Sequence, residues 1–112
     1  MKLEEQTNIL KRFQAEMEKV MLGKGNDYAN EDRLSAFKQV AFITGLTEEQ
    51  VISVFLATKI ARLSNLFSGK EPNNESIDDS ILDLANYAAL LQMIRVDKHC
   101  KVIRIDERID TT

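Results

Sequence analysis

LATKIARLSNLF (residues 56–67) and SIDDSILDLANYAALL (residues 76–91) decide how this chain reads. At about 100° per residue, Asp79, Asp83, Asn86, Leu90 and Met93 fall on one narrow helical stripe. By the same rule Phe55, Lys59, Arg62 and Leu66 share a second stripe. Charges on apolar helical lines stand at core positions, where an unpaired charge is costly. The two polar sets are therefore paired with each other or held for a ligand. The linker SGKEPNNE (68–75) is short, so the two helices must form an antiparallel hairpin. A turn centred near Pro72 makes facing residue numbers add to roughly 144. Lys59 then comes level with Asp83 and Asn86, and Arg62 with Asp79.

The chain has 112 residues, 44% of them hydrophobic and 29% charged. That suits a single domain over 1–112 with a core at 3–96. One proline and four glycines leave long stretches free of helix breakers, so the chain reads as mainly helical. A net charge of −3 argues against general nucleic-acid binding but leaves anionic small ligands open. A single cysteine, Cys100, excludes an intrachain disulfide and offers no metal-binding pattern. No apolar stretch reads as long enough to cross a membrane, and no signal peptide is visible. The expected setting is cytoplasmic, without membrane partners.

Outward from the central hairpin, residues 3–22 read as a first helix, with Ile9, Phe13, Met17 and Val20 at three- and four-residue spacing and Gly23 as its stop. A polar loop, GKGNDYANED, occupies 23–32. A shorter second helix follows from about Arg33 to Thr44, with Leu34, Phe37, Val40 and Ala41 inward and Gly45 at its end. Thr47 and Gln50 fit a capping box for the third helix, and Glu48 and Glu49 suit its positive end. That helix runs to about Phe67 and is apolar nearly all round, the mark of a central helix. The fourth helix runs from about Ser76 to Val96. Beyond it the helical periodicity fades, and 97–112 reads as a short irregular or extended tail in which VIRI could be a strand.

Several groups are candidates for chemistry. Arg62 suits bidentate contact with phosphate, and Lys59 suits it as a point charge. Asp79 and Asp83, one turn apart, could hold Mg²⁺ together with phosphate and water. Glu75 could help them, although Glu75 and Asp78 also sit where the helix dipole favours negative charge. In the loop, glycines allow close approach of backbone to a ligand. There Lys24 is a further cation, Tyr28 could stack on a base, and Asp27 could orient a sugar or a metal. The loop lacks the GK[ST] ending of a phosphate-binding Walker loop. His99 and Cys100 are adjacent and build neither a metal site nor a nucleophile pair.

KGNDYANEDRLSAFKQVA, LATKIARLSNL and ESIDDSILDLANYAALL together resemble a group of small phage-encoded proteins. The shared pattern is a Lys or Arg and an Asp-Tyr pair in a loop, a Phe-bearing helix, a K-x-x-R-L helix and a final D-x-x-x-D-x-A-x-Y helix. The resemblance spans roughly residues 10–95. The group is similar, more remotely, to the all-α nucleoside-triphosphate pyrophosphatases of the MazG and dimeric dUTPase kind. In those enzymes an E-E-x-x-E helix and an E-x-x-D helix hold Mg²⁺, which carries the nucleotide phosphates while water splits the α–β bond. Here Asp83-Leu-Ala-Asn86 stands where E-x-x-D belongs. Lys59 and Arg62 stand near the place of the first carboxylates. A cation can bind phosphate directly but cannot hold Mg²⁺.

The expected fold is therefore all-α, a MazG-like bundle of four main helices with a short irregular or extended tail. The third helix is apolar on more faces than one hairpin covers, which points to a homodimer or higher homo-oligomer. The expected function is nucleotide binding in phage nucleotide metabolism, in the host cytoplasm, with Mg²⁺-dependent pyrophosphohydrolysis as its enzymatic form. In that form Asp79 and Asp83 are the catalytic carboxylates, Glu75, Asp79 and Asp83 hold the metal, and Lys24, Asp27, Tyr28, Lys59, Arg62 and Asn86 bind the ligand. Two other readings stay open. One is a non-catalytic binder that sequesters a signalling nucleotide, and the other is a structural or protein-interaction module with buried salt bridges.

Overall fold

The computed structural model describes residues 1–23, 34–69 and 74–109, and for 74, 75 and 100–109 the backbone alone. Among these residues the chain forms four helices and no strand: α1 (Leu3–Gly23), α2 (Ser35–Thr44), α3 (Glu48–Ser68) and α4 (Asn74–Ile109). The all-α reading holds. The loop residues Lys24, Asp27 and Tyr28 lie outside the described residues, as does the side chain of Glu75.

Local chemistry explains the boundaries. Gly45 ends α2 in the left-handed region at φ 76°, its N–H donating to the carbonyl of Ala41 at 2.9 Å. Two residues later the expected capping box is in place. Gln50 N–H donates to Thr47 Oγ1 at 3.1 Å, and Thr47 N–H donates to Gln50 Oε1 at 2.9 Å. Glu48 and Glu49 occupy the first turn of α3, where the helix dipole favours them.

α4 departs from expectation at its far end. It continues past Val96 to Ile109, so VIRI is helical rather than extended. Cys100 to Ile109 lack a clean apolar stripe, but they also contain no proline or glycine to stop a helix already nucleated.

α3 and α4 make the most extensive contact, α2 packs on α3, and α1 packs on α4. Among the described residues the buried apolar side chains are Val51, Ile52 and Leu63 of α3 and Ile94 of α4. Phe37 of α2, Phe55 of α3 and Tyr87 of α4 form an aromatic string across the three helices. Its centroid separations are 6.0 Å and 5.6 Å. The inward line predicted for α2 agrees, with Leu34, Phe37, Val40 and Ala41 all half-buried. α1 buries no residue fully, and Ile9, one of its predicted inward positions, is exposed.

Two expectations about α3 and α4 are corrected. The stripe Asp79–Asp83–Asn86–Leu90–Met93 is not the centre of the buried face but its flank. Ser80, Tyr87 and Ile94 mark a face turned further toward α3, and Met93 is exposed. α3 has 21 residues, and an 18-residue stretch of it has a mean hydropathy of 1.3, long and apolar enough to cross a membrane by length and composition. This differs from the expectation that no stretch is long enough. Lys59 and Arg62 stand in the middle of this helix.

Candidate functional site

The predicted hairpin register brings the central polar pair together. Lys59 Nζ lies 2.9 Å from Asp83 Oδ2, with the Lys59 side chain 25% and the Asp83 side chain 40% exposed. One helical turn away on each helix, Phe55 faces Tyr87. In both pairs the two residue numbers add to 142, against the roughly 144 expected from a turn at Pro72. The Lys59–Asp83 ion pair thus caps an aromatic contact.

Along α4 the polar stripe descends into the bundle. Asp79 is exposed, Asp83 is half-buried, and Asn86 is only 7% exposed. Neither Nδ2 nor Oδ1 of Asn86 has a hydrogen-bond partner. Native interiors rarely leave both ends of a buried amide empty, since each unmade bond costs about 1–3 kcal/mol. Asn86 lies one turn below Asp83, beneath the ion pair.

The second predicted pair does not form. Arg62 and Asp79 are both exposed and make no ion pair with each other or with any other described residue. Leu63 and Ser80, one position along on each helix, point inward instead. A one-residue offset turns a helical side chain by about 100°, enough to move it from the seam to the surface. Thr58, Lys59, Ala61, Arg62, Asn65 and Leu66 line an open depression on this flank of α3.

Further ion pairs went unpredicted. Lys98 of α4 reaches Glu49 and, at 3.8 Å, Glu48 at the start of α3. Lys38 of α2 lies 3.4 Å from Asp97 of α4. Lys98 holds the Glu49 carboxyl below its ordinary range by hydrogen bond, aided by Glu49's own backbone N–H and opposed by desolvation. The signal for the Glu49–Lys98 contact was the hairpin register, which runs this far only if α4 passes Val96.

As for a metal, no group of three or more His, Cys, Asp or Glu side chains converges among the described residues. Asp83 faces Lys59, and Asp79 stands one turn away in solvent. Such a pair suits only a Mg²⁺ ion shared with a ligand's phosphates.

No family model, curated protein or solved structure matches the chain.

Proposed function

We propose that this protein binds a nucleotide or nucleotide-derived small molecule at the Lys59–Asp83–Asn86 cluster between α3 and α4. The observation that carries the reading is the Asn86 amide, buried with donor and acceptor both unused. An amide with both ends free matches a base edge or a sugar hydroxyl. Arg62, one turn along α3 from Lys59 on the side away from Asn86, makes no ion pair with a described residue and could offer its guanidinium fork to phosphate. The ion pair over Asn86 acts as the closure. An incoming phosphate competes with Asp83 for the Lys59 ammonium, opens the pair and uncovers the amide. The resemblance to phage proteins with a K-x-x-R-L helix and a D-x-x-x-D-x-A-x-Y helix supports the same site. Lys24, Asp27 and Tyr28 would complete it.

Turnover belongs to the same proposal in its stronger form. Asp79 and Asp83, with Glu75, would hold Mg²⁺, which supplies Lewis-acid stabilisation of the phosphate charge. Asp83 is free for that role only once Lys59 has moved to the ligand. A second reading draws on the ion pair itself. Lys59 and Asp83 neutralise each other, as a purely structural register lock would.

Thermal-shift measurements with nucleoside mono-, di- and triphosphates, with and without Mg²⁺, separate these readings. A rise in melting temperature that is lost in Asn86→Leu supports the site. A rise needing Mg²⁺ and followed by pyrophosphate release makes the protein an enzyme. A rise without Mg²⁺ or product makes it a binder that sequesters its ligand. No rise with any nucleotide, from a folded sample, leaves the register lock.

A further inference from the structure

α4 is covered on two sides. Among the described residues only α3 and α1 pack on it. Its α3 side is set by Asp83, Tyr87 and Lys98, which meet Lys59, Phe55 and Glu49. At about 100° per residue, Ala85 and Ala89 fall on the opposite side, and Leu82 and Asn86 stand between the two. Asn86 is buried and the other three are half-buried. Asp78, Gln92 and Val96 share the far side before and after them and are exposed. The cover that α1 gives to α4 is therefore centred on 82–89.

α1 shows the matching footprint. Leu3, Leu10, Phe13, Met17 and Met21 share one apolar stripe. Phe13, Met17 and Met21 are half-buried, whereas Leu3 is 77% and Leu10 54% exposed. The docked part is thus the second half of the helix. At about 1.5 Å per residue, 13–21 and 82–89 each run about 10–12 Å, so the two covered lengths agree. Asn86 lies at the seam, with the Lys59–Asp83 pair toward α3 and α1 on the other side. α1 is lightly held. None of its residues is fully buried, and α4 is the only described helix it packs on. The alanines at 85 and 89 are too small to interlock with it. An element with so few buried contacts opens on its own, below the free energy of global unfolding.

We infer that α1 is a lid over Asn86. It lifts from α4 while α2, α3 and α4 stay packed, and its lifting opens the amide from the side away from the ion pair. The helix that closes the seam is the one whose removal costs the bundle least, since the buried apolar side chains belong to α3 and α4. The inference rests on the reading of Asn86 as the ligand's anchor and gives that reading an entry route. The flat part of the ligand enters under α1, while its phosphate takes Lys59 on the α3 side. Once α1 has closed, the ligand leaves only when the helix lifts again, so release follows the opening rate of α1.

Asn86→Cys in a Cys100→Ser background places a single thiol under α1. The rate at which dithiobisnitrobenzoate labels it in the folded, ligand-free full chain reports the opening. Phe13→Ala, which loosens the docked half of α1, should speed labelling by about tenfold. Phe37→Ala, which loosens α2 from α3, should change it by less than about twofold, because α2 does not move with the lid. Equal acceleration by both variants means that the thiol is reached only through global unfolding, and overturns the lid. So does a labelling rate that Phe13→Ala leaves unchanged. Should the cysteine variant fail to fold, hydrogen exchange of the wild type decides. Amides of 13–21 should exchange at least about tenfold faster than those of 51–63 and 80–94. Exchange of all three stretches in step overturns the lid. Neither measurement contains a nucleotide, so a missing thermal shift would count against the ligand and not against the lid.

Discussion

Phe55 and Tyr87 meet with ring centroids 5.6 Å apart, one turn along both helices from the place where Lys59 reaches Asp83. Two rungs of one ladder thus lock the hairpin, one through an aromatic contact and one through charge. Slipping α4 by a single residue would break both at once, since each side chain would turn by about 100° off the seam.

The charged rung predicts a modest coupling. Lys59 and Asp83 are 25% and 40% exposed at their side chains, so water screens them and their pairwise coupling is about 1 kcal/mol or less. Lys59→Met alone should destabilise more than Lys59→Met with Asp83→Leu, because the double variant leaves no carboxylate unpaired. Urea unfolding of the wild type, the two singles and the double variant measures this cycle. Additive singles would show that the two residues do not act as a pair.

Asn86 predicts a gain. Leucine repeats the branching of asparagine at Cγ and makes no demand for hydrogen bonds, so Asn86→Leu should stabilise the fold by about 1 kcal/mol. The same change should abolish any nucleotide-induced thermal shift. A destabilised but folded Asn86→Leu would mean that the amide has partners in solution.

Glu49 predicts an acid-side effect. Its carboxyl is held below its ordinary value of 4.5, first of all by the hydrogen bond from Lys98. A folded value below the unfolded one contributes stability that is complete above about pH 4.5 and fades as pH falls through the folded value. The advantage of wild type over Lys98→Met should therefore be full at neutral pH and shrink below pH 4.5. It should also shrink with added salt, since both side chains are partly exposed. An advantage of equal size at pH 3 and pH 7 would remove the pair from the account.

Much of the hairpin is legible in the sequence. Thr47 and Gln50 sit three apart, a spacing whose only sensible geometry is the capping box that forms. The Lys59–Asp83 contact followed from linker length alone. Arg62 and Asp79 depart from the expected pairing for a definite reason. Counting across a turn fixes which turn faces which, but not the rotation of each helix, and 100° of rotation separates seam from solvent. The length of α4 is not legible because loss of amphipathic pattern does not mean loss of helix. A helix can run on past its packing partner with no stripe to show for it. The emptiness of the Asn86 amide was not legible at all. Which polar side chains find partners depends on neighbours from α3 and α1 that no stripe enumerates.

Gly45 has a consequence of another kind. Its φ of 76° sits in the left-handed region, yet a Cβ built there would meet no heavy atom within 4 Å. Gly45→Ala should therefore cost about 1–2 kcal/mol through backbone strain alone. Its mirror image should do the reverse. D-alanine, introduced at position 45 by chemical ligation, prefers this φ, and it should raise stability by about 0.5–1 kcal/mol by narrowing the unfolded ensemble. The joint between α2 and α3 discriminates by handedness and is indifferent to bulk.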